Sequence, residues 1–385
     1  MQILGIETSC DETAAAVVAE TDDPARPWAI RSSVVASQVP IHREWGGVVP
    51  ELASRQHVRD ICGVVEKALE EADTGLDGLD AIAVTQGPGL VGSLLVGLSF
   101  AKSLAASRGL PLVPVHHLAG HIESLFLQHG PLPLPAIVLV VSGGHTNLYR
   151  VDAPGHYHPL SRTRDDAAGE AYDKVARLLG LGYPGGPVID RLAKQGNDRA
   201  VDLPIARMTH ADRNAPFDPG QFDFSFSGVK TAVLRYVKGR TAGEAARQAG
   251  RRGTVWAGAE PEGQALPAQD IADVCASFQR VVVEALLDRT FAAAERWHAR
   301  SVGIAGGVSA NSRLRADAAA RGEAFGLPVY VPTIKLSTDN AAMIAAAGLR
   351  AFRAGVRADW RLNADASLDL AATTPPPSPS PHPGQ

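Results

Sequence analysis

Gln2-Ile3-Leu4-Gly5-Ile6-Glu7-Thr8-Ser9-Cys10-Asp11-Glu12-Thr13-Ala14-Ala15-Ala16-Val17-Val18-Ala19 decides the fold class. It reads as an apolar strand (2–6), a small polar turn (7–13) and a second strand (14–19). The unit recurs at 136–141, with the turn Ser142-Gly143-Gly144-His145-Thr146 and a strand at 147–151. A second kind of unit, strand–glycine turn–helix, also occurs twice. One is 81–84, then Gln86-Gly87-Pro88-Gly89-Leu90-Val91-Gly92, then a helix to about 107; the other is 301–304, then Gly306-Gly307-Val308-Ser309-Ala310-Asn311, then a helix to about 321. An α/β chain holds many such units, so chance pairing is the competing reading. The shared order favours duplication: two related α/β lobes, with the turns of each kind facing one cleft.

Working outward, apolar spacing predicts helices at 57–71 (Ile61, Val64, Val65, Ala68, Leu69), 168–179 and 270–298. The division expected is an N-terminal lobe at 1–130 and a C-terminal lobe at 131–370. Residues 239–269, rich in Gly, Ala, Arg and Glu, read as an insertion, either a loop or a helix with a mobile end. Residues 371–385, dominated by Pro, Ser and Thr, read as a tail without fixed structure, whose deletion should leave folding intact.

Composition narrows the function classes. The 385 residues suffice for two domains, with 45% hydrophobic and 20% charged residues. The formal net charge is -4, from 37 basic and 41 acidic residues. A protein gripping RNA by itself usually carries a basic excess, so an RNA substrate would need a local patch or a partner. Cys10, Cys62 and Cys275 are far apart and odd in number, which argues against a disulfide framework and fits a reducing compartment. No Cys-x-x-Cys pair offers a zinc site. The chain runs directly into a strand without a signal-like segment, and no apolar run approaches the roughly 18–20 residues of a membrane span. A cytoplasmic location without membrane contact is the expectation.

His117 and His121 are the first candidates for chemistry. Four residues apart on a helix, they share a face and could share one metal ion; two surface histidines would show the same spacing. A zinc protease places Glu directly after the first histidine, but that position is Leu118. His116 and Glu123 are close by without the required spacing. Asp339, in Ser337-Thr338-Asp339-Asn340 ahead of a small-residue helix, offers a third ligand and equally well a helix N-cap. Two histidines and a carboxylate suit Fe(II) or Zn(II).

Paired glycines at 143–144 and 306–307 let the backbone approach a ligand and could cradle a phosphate, although neither turn matches a Walker loop or a dinucleotide fingerprint. Four acids and a lysine between Asp165 and Lys174 begin a helix, where capping is the plain explanation. The loop Gly182-Tyr183-Pro184-Gly185-Gly186-Pro187 follows. An aspartate beside such a loop could hold a ribose hydroxyl pair, with Asp190 a second polar contact. Two further segments, 42–57 and 222–231, mix charged and aromatic residues around glycine and could form a substrate or partner surface or, in the second case, a buried strand.

Together these segments resemble the TsaD (Gcp/YgjD) family of tRNA threonylcarbamoyladenosine transferases, from residue 1 to about 352. The resemblance is carried by 5–13, 42–57, 85–97, 116–121, 140–146, 165–186, 222–231, 303–311 and 337–348. It implies a two-lobed actin-like, sugar-kinase-like (ASKHA) fold with duplicated RNase H-like lobes. It implies transfer of a threonylcarbamoyl group from threonylcarbamoyl-AMP to N6 of the adenosine next to the anticodon, in tRNAs reading codons that begin with A. It implies one divalent metal, Fe(II) ahead of Zn(II), on His117, His121 and Asp339. It places the adenylate on Val140, Val141, Ser142, Gly143, Gly144, Asp173, Gly186, Asp190 and Asn311. It also implies a TsaB-like paralogue and a TsaE-like ATPase as partners. Glu12 and His145, polar groups on the two hairpin turns, are the candidates for assisting proton transfer. The rival readings are a metallopeptidase, which lacks its glutamate here, and an actin-like ATP-driven scaffold, which leaves the histidine pair without a use.

Overall fold

The computed structural model describes residues 1–205, 222–251 and 266–370. In chain order the first half contains β1 (Gln2–Glu7), β2 (Glu12–Glu20), β3 (Trp28–Ser37), the short α1 (Val39–Arg43), α2 (Pro50–Glu71), β4 (Ala81–Gly87), α3 (Val91–Arg108), β5 (Leu112–His116) and α4 (His117–His129). Then follow β6 (Ala136–Val141), β7 (Thr146–Ala153), β8 (His156–Ser161), α5 (Ala168–Leu178), α6 (Gly185–Ala193), α7 (Ser227–Arg251), α8 (Ala268–Arg296), β9 (Ser301–Ala305), α9 (Ser312–Phe325), β10 (Val329–Tyr330), α10 (Ile334–Ser337) and α11 (Ala341–Arg353).

The strands form two five-stranded sheets, β3-β2-β1-β4-β5 and β8-β7-β6-β9-β10. In each, the first three strands in sequence pair antiparallel and the last two add in parallel. The duplication expected from the paired units is therefore present in the strand order itself. β1 and β6 are the central strands, buried on both faces, which is why they read as near-continuous apolar runs. Ile3 faces one side of its sheet while Leu4 and Ile6 face the other; Val138 and Val140 alternate with Ile137, Leu139 and Val141 in the same way.

The alternation sorts the core into three layers of contact. Leu4, Ile6, Ile82 and Val84 pack outward on Ile61, Val64, Val65 and Ala68 of α2. Ile137, Leu139 and Val141 pack outward on α5 and α8. Between the sheets lie α4 and α11, and this pair crosses over. α4 follows the first sheet in sequence but touches β6 and β9, while α11 lies across β1, β2, β4 and β5. The residues after 340, expected in the C-terminal lobe, thus pack on the N-terminal sheet. Close approach here requires small residues. A Cβ on Gly5 would sit 2.4 Å from Ala341 O and 2.6 Å from Ala345 N, so the strand and the alanine-rich helix touch backbone to backbone.

Two boundaries differ from expectation. α2 begins at Pro50 rather than 57, with the proline at its first position, where a missing N–H costs nothing; the charged residues of its first turns disguised it as loop. Residues 239–251 continue α7, while 252–265 and the tail 371–385 lie outside the described residues. Among the described residues, no helix is long and apolar enough to cross a membrane.

Candidate active site

Parallel pairing places the ends of β1 and β4 side by side, and likewise β6 and β9. The turns that leave these strands therefore cluster: Leu90 N–H donates to Ser9 O (2.8 Å), and a Cβ on Gly306 would meet Val141 O at 2.4 Å. Carboxyl ends of strands at such a point are where open α/β sheets bind ligands.

α4 starts here. His116 caps it, its Nδ1 accepting from Leu118 N–H (3.1 Å) while Nε2 donates to Leu368 O (2.9 Å). His117 and His121 then project from one face, their ring centroids 4.8 Å apart. Asp339 comes from the other crossing helix, just ahead of α11. The helix cap is its neighbour: Asn340 Oδ1 accepts from Met343 N–H (3.0 Å). Asp339 Oδ1 lies 3.2 Å from His121 Nε2 and 3.7 Å from His117 Nε2. One donor atom of each of the three residues falls within 4.8 Å of the others. That is near the spacing imposed by one ion bound at roughly 2.0–2.2 Å. His121 has no exposure; its Nδ1 makes no hydrogen bond and its Nε2 faces only the Asp339 carboxylate. Two buried imidazoles converging on one carboxylate are the donor set a divalent ion takes, so the residues fit one.

Burial alone would raise Asp339, but the neighbouring His117 charge and the hydrogen bond from His121 hold its carboxyl far below the usual range. Burial would depress His117; the carboxylates of Asp339 and Glu7 instead raise it to about 9. His145, whose ring centroid lies 6.2 Å from that of His117, is pushed down to about 3 by burial and by the neighbouring histidine charge, so it is a neutral imidazole at the edge of the cluster. Glu12, which accepts a long bond from Ser37 Oγ (3.4 Å), is raised well above its ordinary value by burial, Asp11 and Asp339.

The family model for TsaD, tRNA N6-adenosine threonylcarbamoyltransferase, matches residues 29–346. A relative of that name from Anaeromyxobacter dehalogenans (strain 2CP-1 / ATCC BAA-258) is 51% identical over 96% of this chain and 99% of its own. Another from Koribacter versatilis (strain Ellin345) is 49% identical over 96% and 98%. The chain belongs to the tRNA N6-adenosine threonylcarbamoyltransferase family. Full-length HypF, in its phosphate- and nucleotide-bound crystal form, shares the fold at a TM-score of 0.52 and 13% identity, over 91% of this chain and 55% of that one.

This threonylcarbamoyltransferase chain disposes its remaining candidate residues in two groups. The first group is open. Gly143, Gly144 and Gly186 would have no atom within 4 Å of an added Cβ. The 142–145 turn is closed by Ser142 N–H to His145 O (2.8 Å) and sits on the start of α5, where Gly169 N–H donates to Ser142 O (3.1 Å). Asp173 Oδ1 accepts from Gly185 N–H (2.7 Å), which draws the α6 glycine loop against α5; burial raises Asp173 to about 6.

The second group is engaged by the protein itself. Val140 and Val141 are fully buried and offer only backbone. Asp190 Oδ1 accepts from Ser312 N–H (3.2 Å) and Oγ–H (2.8 Å), tying α6 to α9. Asn311 caps α9 through Leu314 N–H (2.9 Å) and donates to Gln279 Oε1 (2.8 Å). Asp165 and Asp166 likewise serve structure: one caps α7 through Phe226 N–H and Ser227, the other pairs with Lys174 and Lys230. In the 42–57 segment, His57 Nδ1 meets Thr13 Oγ1 (2.7 Å) and its Nε2 meets Cys10 O (3.0 Å), bracing the 8–13 turn. Sequence reasoning missed Glu7, which touches His117, and His116 as the α4 cap. Glu7 lies 110 residues from His117, and the Leu368 carbonyl that holds the other side of the His116 ring lies 252 residues away, so no local spacing announces these two contacts.

Proposed function

We propose that the cleft binds threonylcarbamoyl-AMP and transfers its threonylcarbamoyl group to N6 of the adenosine beside the tRNA anticodon, with a divalent ion, Fe(II) ahead of Zn(II), held by His117, His121 and Asp339. The observation that carries the reading is the convergence of the buried His117 and His121 on Asp339, whose Oδ1 lies 3.2 Å from His121 Nε2, beside the open 142–145 turn. A bound ion supplies Lewis-acid polarisation of the carbamoyl carbonyl and a charge for the threonyl end.

The residues do the rest. The amides of Gly143 and Gly144 receive the phosphate, where glycine leaves room for it, and stabilise AMP as it departs. Above about pH 6, Asp173 is a carboxylate beside the glycine loop, suited to accept both ribose hydroxyl protons. Val140 and Val141 hold that turn through the sheet, and Asp190 and Asn311 hold α9 and the 306–311 turn against it. Reaction forms the N6–C bond and breaks the carbamoyl C–O bond to phosphate. The adenine amine is a weak nucleophile, so orientation carries most of the acceleration. His145 and Glu12, on the two hairpin turns, are the groups placed to take the proton that N6 sheds and to give one to the leaving phosphate. A net charge of -4 supports sharing the tRNA with a TsaB-like paralogue and a TsaE-like ATPase in the cytoplasm.

The test is metal content by elemental mass spectrometry on protein purified without added chelator. Wild type should carry close to one ion per chain, and His117→Ala and Asp339→Ala should carry little. Equal content in all three would remove the metal from this cleft.

A further inference from the structure

Glu7 ends β1 with no exposure at all, a carboxylate placed in the protein interior. Such a group persists only where donors surround it. Three do. His117 Nδ1 lies 3.0 Å from Oε2, Thr85 Oγ1 donates to the same oxygen at 2.8 Å, and Ser9 N–H donates to Oε1. Thr85 sits on β4, Ser9 in the turn after β1, and His117 at the start of α4, so Glu7 joins three elements at the rim of the metal cluster.

The geometry points to Glu7 as the positioning residue of the metal centre, fixing the ring and the tautomer of His117. This rests on the metal reading above. Two groups stand opposite Nδ1: Ser9 Oγ at 3.2 Å, which can donate or accept, and Glu7 Oε2, nearer at 3.0 Å, which can only accept; the carboxylate therefore calls for the proton on Nδ1 and leaves the Nε2 lone pair directed at the side where Asp339 lies 3.7 Å away. Metal-bound histidines are commonly oriented by such a carboxylate, and losing it typically weakens metal binding 10–100-fold.

The arrangement makes glutamine a sharp probe, because it keeps the shape of the side chain and exchanges one oxygen for NH2. Facing Ser9 with its oxygen, it turns NH2 toward His117 Nδ1 and favours the tautomer whose Nε2 is protonated and cannot bind metal. Facing His117 with its oxygen, it sets NH2 against Ser9 N–H. Thr85 can adapt, since a hydroxyl both donates and accepts; Glu7→Gln cannot satisfy Ser9 N–H and a His117 protonated on Nδ1 together.

The experiment is Zn(II) binding by competition with a chromophoric chelator at one fixed pH, on the full chain and on Glu7→Gln, Thr85→Val and Asp339→Ala. Glu7→Gln should bind Zn(II) roughly 10–100-fold more weakly than wild type, while Thr85→Val, which removes a Glu7 bond without touching His117, should bind as wild type does. Wild-type affinity in Glu7→Gln, or an equal loss in Thr85→Val, overturns the positioning role. No Zn(II) binding by wild type overturns the metal reading itself, and this inference with it. Should Glu7→Gln fail to fold, 15N-histidine spectra of the Zn(II)-loaded wild type decide: a proton on His117 Nδ1 supports the assignment, and a proton on Nε2 refutes it.

Discussion

Asn340 closes the first turn of α11, and this frees Asp339 to face the two histidines. On sequence alone the ligand and the cap were equally good readings of Asp339, because both place a carboxylate just before a helix. One residue of register separates them, and only the fold reveals it. The histidine pair was legible from spacing, and the glycine turns from composition. Glu7 was not legible, since a carboxylate at a strand end has no local signature. Asp173 gives the clearest pH prediction at this scale. Its pKa rises from an ordinary 3.8 to about 6, chiefly through burial, so across that interval the folded state binds more protons than the unfolded state. Stability therefore falls as pH rises through the window. Asp173→Asn should remove that part of the slope, as read from melting temperatures of the two proteins between about pH 4 and 6. Parallel slopes would mean that Asp173 is not raised.

At the scale of elements, the crossing of α4 and α11 brings the metal ligands together, and a buried ion pair locks it. Arg350 of α11 binds Glu123 of α4 at 2.7 and 2.8 Å, lies 4.6 Å over the Trp28 ring and is joined through Glu123 to Tyr157. Arg350→Met leaves Glu123 buried and unpaired, which should cost about 3–5 kcal/mol, measured by denaturant unfolding. A loss under about 1 kcal/mol would show that the pair is replaceable, as some buried pairs are.

The segment after α11 forms a second clasp. Ala358 N–H donates to Leu112 O (2.8 Å), Asp365 N–H to Gln86 O (3.0 Å), and Leu368 O receives His116 Nε2–H, while Leu370 is buried. A chain ended after 370 should melt as the full chain does. One ended after 357 should melt lower and bind Zn(II) more weakly, because the cap of the histidine helix loses its partner. Identical melting of the two truncations would remove the clasp. The sequence showed α11 by its small residues and hinted at α4 through the spacing of His117 and His121, but neither the crossing nor the clasp, since both depend on contacts hundreds of residues apart.

At the scale of the whole molecule, the two sheets repeat one strand order, and the duplication was readable because each lobe keeps both kinds of unit in the same sequence. Their turns converge at one cleft, with the histidine–aspartate group on one side and the open glycines on the other. A peptidase reading finds Leu118, buried, where its base would stand. A scaffold reading finds no use for two buried histidines converging on Asp339. The central claim is group transfer at this cleft. Its most direct test mixes the protein, the proposed TsaB-like and TsaE-like partners, threonylcarbamoyl-AMP and unmodified tRNA, and analyses the tRNA nucleosides by mass spectrometry. Threonylcarbamoyladenosine should appear with wild type and fall at least about 100-fold with Asp339→Ala, on the order of a lost electrostatic contact to the reacting group. Product formed equally by Asp339→Ala, or none from folded, metal-loaded wild type with active partners, would contradict the account.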